Sequence, residues 1–466
     1  MGSKITLAEI CTDISYGYTA SATAKPVGPK FLRITDIQGG KVNWENVPYC
    51  EIDEKDSLKY LLQDGDIVIA RTGNSTGENF IFSSNTKVVF ASYLIRFRID
   101  PKKANPKFIW LQMRTPQWWS FIDSVKTGSA QAGANAKVLG LYEVELPERK
   151  IQDHIADIGF NLLKKQDINS KINQTLEQMS QTLFKSWFVD FDPVIDNALD
   201  AGNPIPEALQ TRTKLRQKVR NSADFKPLPA EIRSLFPSEF EETELGWVPK
   251  GWDVVKTEDI AIKIGMGPFG SNIKASQFVS SGIPIINGQQ LKGLILEKNF
   301  INYITDEHAN ILKNSLVYEH DIVLTHRGTL GQVSLIPKRK GNEKFVISQS
   351  QFYLRVDRKK CSPFYMIHFL KSRIGQEALL SNASQVGVPS IARPSTHLKK
   401  ITFINPPLSL HKLFDNEFEV ILEKIMNCKE QSLALTALRD TLLPKLISGE
   451  LSLEDLPDLT TDTEAA

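Results

Sequence analysis

Five polar loops hold the side chains best suited to chemistry with a nucleic acid. In the first half of the chain they are Ala70-Arg71-Thr72-Gly73-Asn74-Ser75-Thr76-Gly77 and Lys126-Thr127-Gly128-Ser129-Ala130-Gln131. In the second half they are Thr325-His326-Arg327-Gly328-Thr329, Ser348-Gln349-Ser350-Gln351 and the stretch from Ser384 through Gln385, Gly387 and Ser390 to Arg393. Arginine can grip guanine with two donors, and glutamine or asparagine can do the same to adenine. Hydroxyls and glycine-exposed backbone N–H groups suit phosphate. The candidate DNA contacts are therefore Arg71, Thr72, Asn74, Ser75, Lys126, Ser129 and Gln131, then His326, Arg327, Thr329, Gln349, Gln351, Gln385, Ser390 and Arg393.

Other motifs carry less. Gly265-Met266-Gly267-Pro268-Phe269-Gly270 has G-x-G-x-x-G spacing, but Pro268 lies inside it and no long helix opens on it, so a turn is expected. Asn405-Pro406-Pro407-Leu408 resembles the N-P-P-aromatic signature of adenine methyltransferases, yet Leu408 cannot stack on a flipped base. Asp36 with Asp53-Glu54-Lys55 imitates a metal-nuclease pattern; the matching Asp306-Glu307-His308 has no lysine. The seven histidines show no ligand spacing, so no metal and no catalytic residue is expected.

The elements that must position these loops occur twice. Asp66-Ile67-Val68 recurs as Asp321-Ile322-Val323, Arg98-Ile99-Asp100 as Arg355-Val356-Asp357, and His154 as His411. Thr182–Phe188 matches Thr441–Ile447. A period near 255 residues means two copies of a whole domain plus helix, not a solenoid. In each copy short apolar runs read as strands (67–70, 87–99, 321–325, 345–356) and 108–121 and 364–380 read as helices.

A long helix closes each copy. Positions 151, 155, 158, 162, 165, 169, 172, 176, 179, 183 and 186 step by four and three, and so do 414, 418, 421, 425, 428, 432, 435, 439, 442 and 446. That is a coiled-coil seam with polar interruptions, and Lys165 and Asn169 within it are expected either to set register or to sit at a partner-facing position. A helix of roughly 36 residues is about 54 Å long, so an antiparallel pair would hold two readers further apart than one turn of DNA. The seam residues expected at the helix or partner interface are Ile155, Leu162, Leu176, Leu183, Trp187, Phe418, Ile425, Leu435, Leu442 and Leu446.

Composition agrees with a globular protein and bounds the rest. The 466 residues are 41% hydrophobic and 24% charged, enough for several cores. The net charge is only +2, but residues 246–406 hold 21 basic against 11 acidic side chains, and 407–466 hold 5 against 12. A basic block suits a polyanion partner. No apolar run reaches membrane-spanning length and Met1-Gly2-Ser3-Lys4 opens no signal pattern. Cys11, Cys50, Cys361 and Cys428 are far apart; free thiols in a cytoplasmic protein are expected.

Together these features resemble the specificity subunit of type I restriction–modification systems. Glu244-Leu245-Gly246-Trp247-Val248-Pro249-Lys250-Gly251-Trp252 looks like the opening of a target recognition domain. Leu183–Phe191 looks like the end of the family's central helix, and Leu442–Leu451 like the end of its C-terminal helix. The first domain lacks that opening and starts at Ile5-Thr6-Leu7.

The resemblance implies an α+β fold with internal two-fold pseudo-symmetry. Two mixed α/β recognition domains are separated by two long helices packed as an antiparallel coiled coil. The expected plan is recognition domain 1 over 1–148, central helix over 149–192, linker insertion over 193–243, recognition domain 2 over 244–407, C-terminal helix over 408–453 and a disordered acidic tail over 454–466. The resemblance also implies a non-catalytic reader of a bipartite, asymmetric site in double-stranded DNA, docked to two modification subunits and to restriction subunits. The chain would bind no cofactor; S-adenosylmethionine, ATP and Mg would sit on its partners. A coiled-coil scaffold without a DNA role, or a stand-alone DNA methyltransferase, are the alternatives.

Overall fold

The computed structural model describes residues 3–126, 133–338, 343–384 and 386–452. The chain forms two units, one from residues up to 170 together with those from 428 onward, the other from 171–427. The divisions fall inside the two long helices, Arg149–Phe188 and Leu408–Ser448, not at their ends. Each unit therefore contains a mixed domain and half of each long helix.

The two mixed domains share one strand plan. In the first, an antiparallel sheet has the order Cys11–Tyr16, Leu94–Ile99, Ile67–Ala70, Asn79–Ile81. In the second, the order is Ala261–Met266, Gln351–Val356, Ile322–Thr325, Val333–Leu335. Register agrees as well: Ile67 faces Phe97 and Ile81, and Ile322 faces Leu354 and Leu335. Beside each sheet lies a parallel pair, Lys30–Leu32 with Val88–Phe90 and Ile283–Ile286 with Phe345–Ile347.

The apolar run 87–99, read as one strand, is two strands in different sheets. Leu94 N–H closes a tight turn on the Ala91 carbonyl at 2.8 Å, and Gln351 closes its counterpart on Ser348 at 3.1 Å. Hydrophobicity continues through the turn because both strands are buried, so periodicity could not locate the break. The helix expected over 108–121 is likewise divided, into Pro106–Gln112 and Pro116–Val125. Thr115 is extended, as the residue before a proline prefers to be. Over 364–380 the break is Ser372, whose Oγ accepts from Gly375 N–H at 3.1 Å.

The helices pair antiparallel within each unit. In the first, Ile155 shares a core with Leu443 and Leu446, while further along Gln166 donates to Thr436 Oγ1 at 2.7 Å and to the Ser432 carbonyl at 3.3 Å. Asn169 Nδ2 reaches the Cys428 carbonyl at 3.4 Å and Gln431 Oε1 at 3.3 Å. In the second, Phe184 and Trp187 pack on Phe414, with Phe418 and Ile425 in the same core.

The seam departs from the expected positions in places. Ile151, Lys165, Ile172 and Met179 face solvent and Gln152, Gln166 and Ser180 are buried, while Asn169 is buried as expected. The cause is hydrogen bonding. Gln152 accepts from Asn105 N–H at 3.0 Å and donates to the Pro147 carbonyl at 2.8 Å, which offsets the cost of taking its amide out of water. Ile155, Leu162, Asn169, Leu176 and Leu183 keep their expected places in the seam.

The segment read as a linker is folded. Helix Asp192–Ala201 faces helix Gln210–Arg220 through a ladder in which Arg212 holds Asp192, Arg216 holds Asp196 and Arg220 holds Asp200. Arg233 adds a second cation at Asp200. The segment leads into a hairpin, Phe240–Thr243 with Gly246–Pro249. Just past it, Trp252 is buried against Phe188 and Phe191, so the two stretches that resemble family motifs meet in one aromatic core. The expected acidic tail lies outside the described residues.

Candidate nucleic-acid interface

Four strand ends converge on one edge of the second domain. Asn287 follows Ile283–Ile286, Thr325 ends its strand, Ser348 follows Phe345–Ile347 and Gln351 opens the next. They frame a cleft of about 330 Å³ that also includes Gln289, Lys292, Arg327, Thr329, Gln332 and Ser350. Its rim is chemically mixed, with arginine, lysine, amides and hydroxyls. Lys292 and Arg327 have no carboxylate partner among the described residues.

Backbone bonds hold this edge rigid. His326 N–H donates to the Ser350 carbonyl at 3.0 Å, and His326 O accepts from Ile391 N–H at 2.9 Å. Its ring Nε2 lies 3.1 Å from the Gln349 carbonyl, which requires Nε2 to carry the proton. Burial lowers the His326 pKa, so the ring is neutral at physiological pH. Gly328 turns the chain at φ 93°, a left-handed conformation that glycine adopts without strain.

The first domain repeats this scaffold with other side chains. Arg71 N–H donates to the Tyr93 carbonyl at 3.1 Å, and Arg71 O accepts from Ala134 N–H at 2.9 Å. Arg71 Nε donates to the Ser92 carbonyl at 3.1 Å, as His326 does to that of Gln349. Gly73 supplies the turn at φ 67°. Arg71 and His326 thus occupy one structural position in the two copies.

The structure brings some of the expected contacts together and not others. Arg327 bridges to Ser390, which places the 390 loop beside the cleft. Thr329 and Gln349 are exposed near it. Gln351 is not available: it is 1% exposed, its amide committed to Thr325 Oγ1 and the Ser348 hydroxyl. It shapes the edge and does not read from it. Arg393 is exposed at the start of helix Pro394–Lys400, in a left-handed conformation.

In the first domain Thr72 bridges to Gly133, Asn74 is exposed and Ser75 Oγ accepts from Gln38 at 3.1 Å. Lys126 pairs with Asp123 at 3.7 Å. Ser129, Gln131 and Gln385 lie outside the described residues. All ten expected interface residues, Ile155, Leu162, Leu176, Leu183, Trp187, Phe418, Ile425, Leu435, Leu442 and Leu446, are buried or half-buried.

Asn287, Gln289, Lys292, Tyr16 and Tyr93 were missed. The signal was available: the apolar run 283–286 ends on Asn287-Gly288-Gln289-Gln290, as 322–325 ends on its own polar loop. The discounted motifs have structural roles. A side chain at Gly265 would strike the Tyr353 ring, and one at Gly267 the Ser348 carbonyl. Asn405 bonds His411 Nε2 at 3.0 Å, and Asp53 caps helix Glu54–Tyr60.

The repeated scaffold places polar edges at matching positions in the two units, each beside its half of the paired helices. Residues 17–178 match the type I restriction modification DNA specificity domain. The HindI type I specificity subunit of Haemophilus influenzae is 26% identical, covering 96% of this chain and 99% of its own length. The MjaIX specificity subunit of Methanocaldococcus jannaschii is 24% identical over 75% of this chain and 70% of its own. In fold, the chain is similar to the crystal structure of the S subunit from M. genitalium, with TM-score 0.50, 13% identity and 96% of each chain covered. Over nearly its full length the chain is thus similar to type I restriction–modification specificity subunits. Among the described residues no helix is long and apolar enough to cross a membrane.

Proposed function

We propose that each unit reads one half of a bipartite, asymmetric site in double-stranded DNA. The observation that carries this is the shared anchoring of Arg71 and His326: one scaffold, two different reading side chains. Matched scaffolds bearing unlike side chains suit two unlike half-sites. Arg71, Thr72, Asn74 and Ser75 contact one half; His326, Arg327, Thr329, Gln349, Ser390 and Arg393, with Asn287, Gln289 and Lys292, contact the other. Lys126, Ser129, Gln131 and Gln385 belong to the same proposed contact set.

The helical pair sets the gap and docks two modification subunits, with restriction subunits joining them. The chain itself performs no catalysis. S-adenosylmethionine, ATP and Mg act on those partners, in the cytoplasm. The test is to co-express the chain with a modification subunit and map methylated adenines genome-wide. Two short specified halves with a fixed unspecified gap are expected. A formed, active complex that methylates without any sequence motif would sink the reading.

A further inference from the structure

Arg71 stands apart from the other arginines of its domain. Arg33, Arg96 and Arg98 each hold a carboxylate, that of Asp36, Asp13 and Asp66. Arg114 is largely buried and donates to the Gly39 carbonyl. Arg71 has no carboxylate partner among the described residues. Its guanidinium lies between two aromatic rings, 5.2 Å from the centre of Tyr16 and 5.8 Å from that of Tyr93. Such rings hold a cation in place without neutralising it.

The rest of the slot is fixed too. Nε is tied to the Ser92 carbonyl, and the backbone on both sides is bonded, to Tyr93 O and from Ala134 N–H. Tyr16 is anchored in turn, since its hydroxyl accepts from Ala136 N–H at 3.0 Å. With Nε bound, the two Nη groups remain as a planar fork. Two parallel donors on a rigid plane match the O6 and N7 acceptors of guanine. The second unit has Met266 and Ser350 where the first has Tyr16 and Tyr93, and histidine in place of arginine.

We infer that Arg71, clamped between Tyr16 and Tyr93, reads one guanine in the half-site of the first unit, and that the second unit has no equivalent guanine reader at this position. The inference rests on the proposal that the first unit reads DNA. Pre-organisation makes it specific, because the fork loses little rotamer freedom on contact.

The test uses the complex with its modification subunit and duplexes carrying its methylation motif. Each guanine is replaced singly by 7-deazaguanine, which lacks the N7 acceptor, and binding is compared for wild type and Arg71→Lys. Lysine keeps the charge and removes the fork. At one guanine of one half-site the replacement should weaken wild type about tenfold and leave Arg71→Lys within twofold. Tyr93→Leu should reduce that coupling without abolishing it. A motif with no guanine, or no guanine whose replacement couples to Arg71, overturns the inference. So does an Arg71→Gln variant that weakens all sequences equally and lowers the salt slope by about one, the mark of a phosphate contact. A wild-type complex with no motif at all would instead defeat the underlying proposal.

Discussion

Arg355 grips Asp321 across neighbouring strands with two parallel bonds, Nε to Oδ1 at 2.8 Å and Nη2 to Oδ2 at 2.7 Å. Arg98 grips Asp66 in the first unit with the same two bonds at the same two lengths. Both carboxylates are almost wholly buried, at 1% exposure each. Each also accepts a backbone N–H three residues before it, from Gln63 and from Tyr318.

Removing either arginine should strand a buried carboxylate. Arg355→Ala should destabilise the second unit by about 3 kcal/mol, and Arg98→Ala the first by a similar amount. Hydrogen exchange is the check. Arg355→Ala should lower protection in Ile322–Thr325 and Gln351–Val356 while Ile67–Ala70 and Leu94–Ile99 are unaffected. Equal loss in both units would refute the idea that each pair locks its own sheet.

The second unit should be acid-sensitive. Burial holds His320, His368 and His411 at a pKa of about 4, below the ordinary 6.5. The unfolded chain then binds more protons than the folded one between those values. The stability is fully present above pH 6.5 and is lost as pH falls towards 4, by roughly 3 kcal/mol for each ring at most. Asp415 acts against this, because burial raises its pKa to about 6 and the folded state then takes up a proton first. His368 is packed among Phe184, Phe414 and Phe418. His368→Leu should flatten the fall in melting temperature between pH 7 and 5; an unchanged slope would mean that His368 does not titrate on unfolding.

Asn169 should specify register more than stability. It is 1% exposed and its amide is within reach of Cys428 O, Gln431 and Ser432 on the second long helix. A buried polar residue in a helical seam disfavours slipped pairings at some energetic cost. Asn169→Leu should melt at the same temperature or a few degrees higher. Its complex should methylate sites with more than one gap length. A single wild-type gap, with unchanged melting, would assign the register elsewhere.

Much of the fold was legible because it is local or periodic. The repeat of Asp66 and Arg98 as Asp321 and Arg355 exposed the duplication, since an ion pair across strands needs both residues in both copies. The long helices followed from three-and-four spacing. The Asp192, Asp196, Asp200 and Arg212, Arg216, Arg220 ladder was equally readable, each pair lying twenty apart, yet the prolines around it suggested a linker. Prolines mark element ends and say nothing about what the elements between them pack against.

The sequence by itself determined the two-copy plan, the helix pair and the polar loops proposed to meet DNA. Residue type and spacing suffice for these because hydrophobic periodicity and local charge are properties of the chain. Only the tertiary structure decided which side chains are free to act. Gln351 and Arg71 looked alike as candidates, but Gln351 is closed in by Thr325 and Ser348 while Arg71 presents its fork between two tyrosines. Gln166, polar by type and outside the expected seam, proved to be buried in it because Ser432 and Thr436 on the second long helix satisfy its hydrogen bonds. Burial of a polar group depends on what lies across from it, and that is fixed by long-range packing.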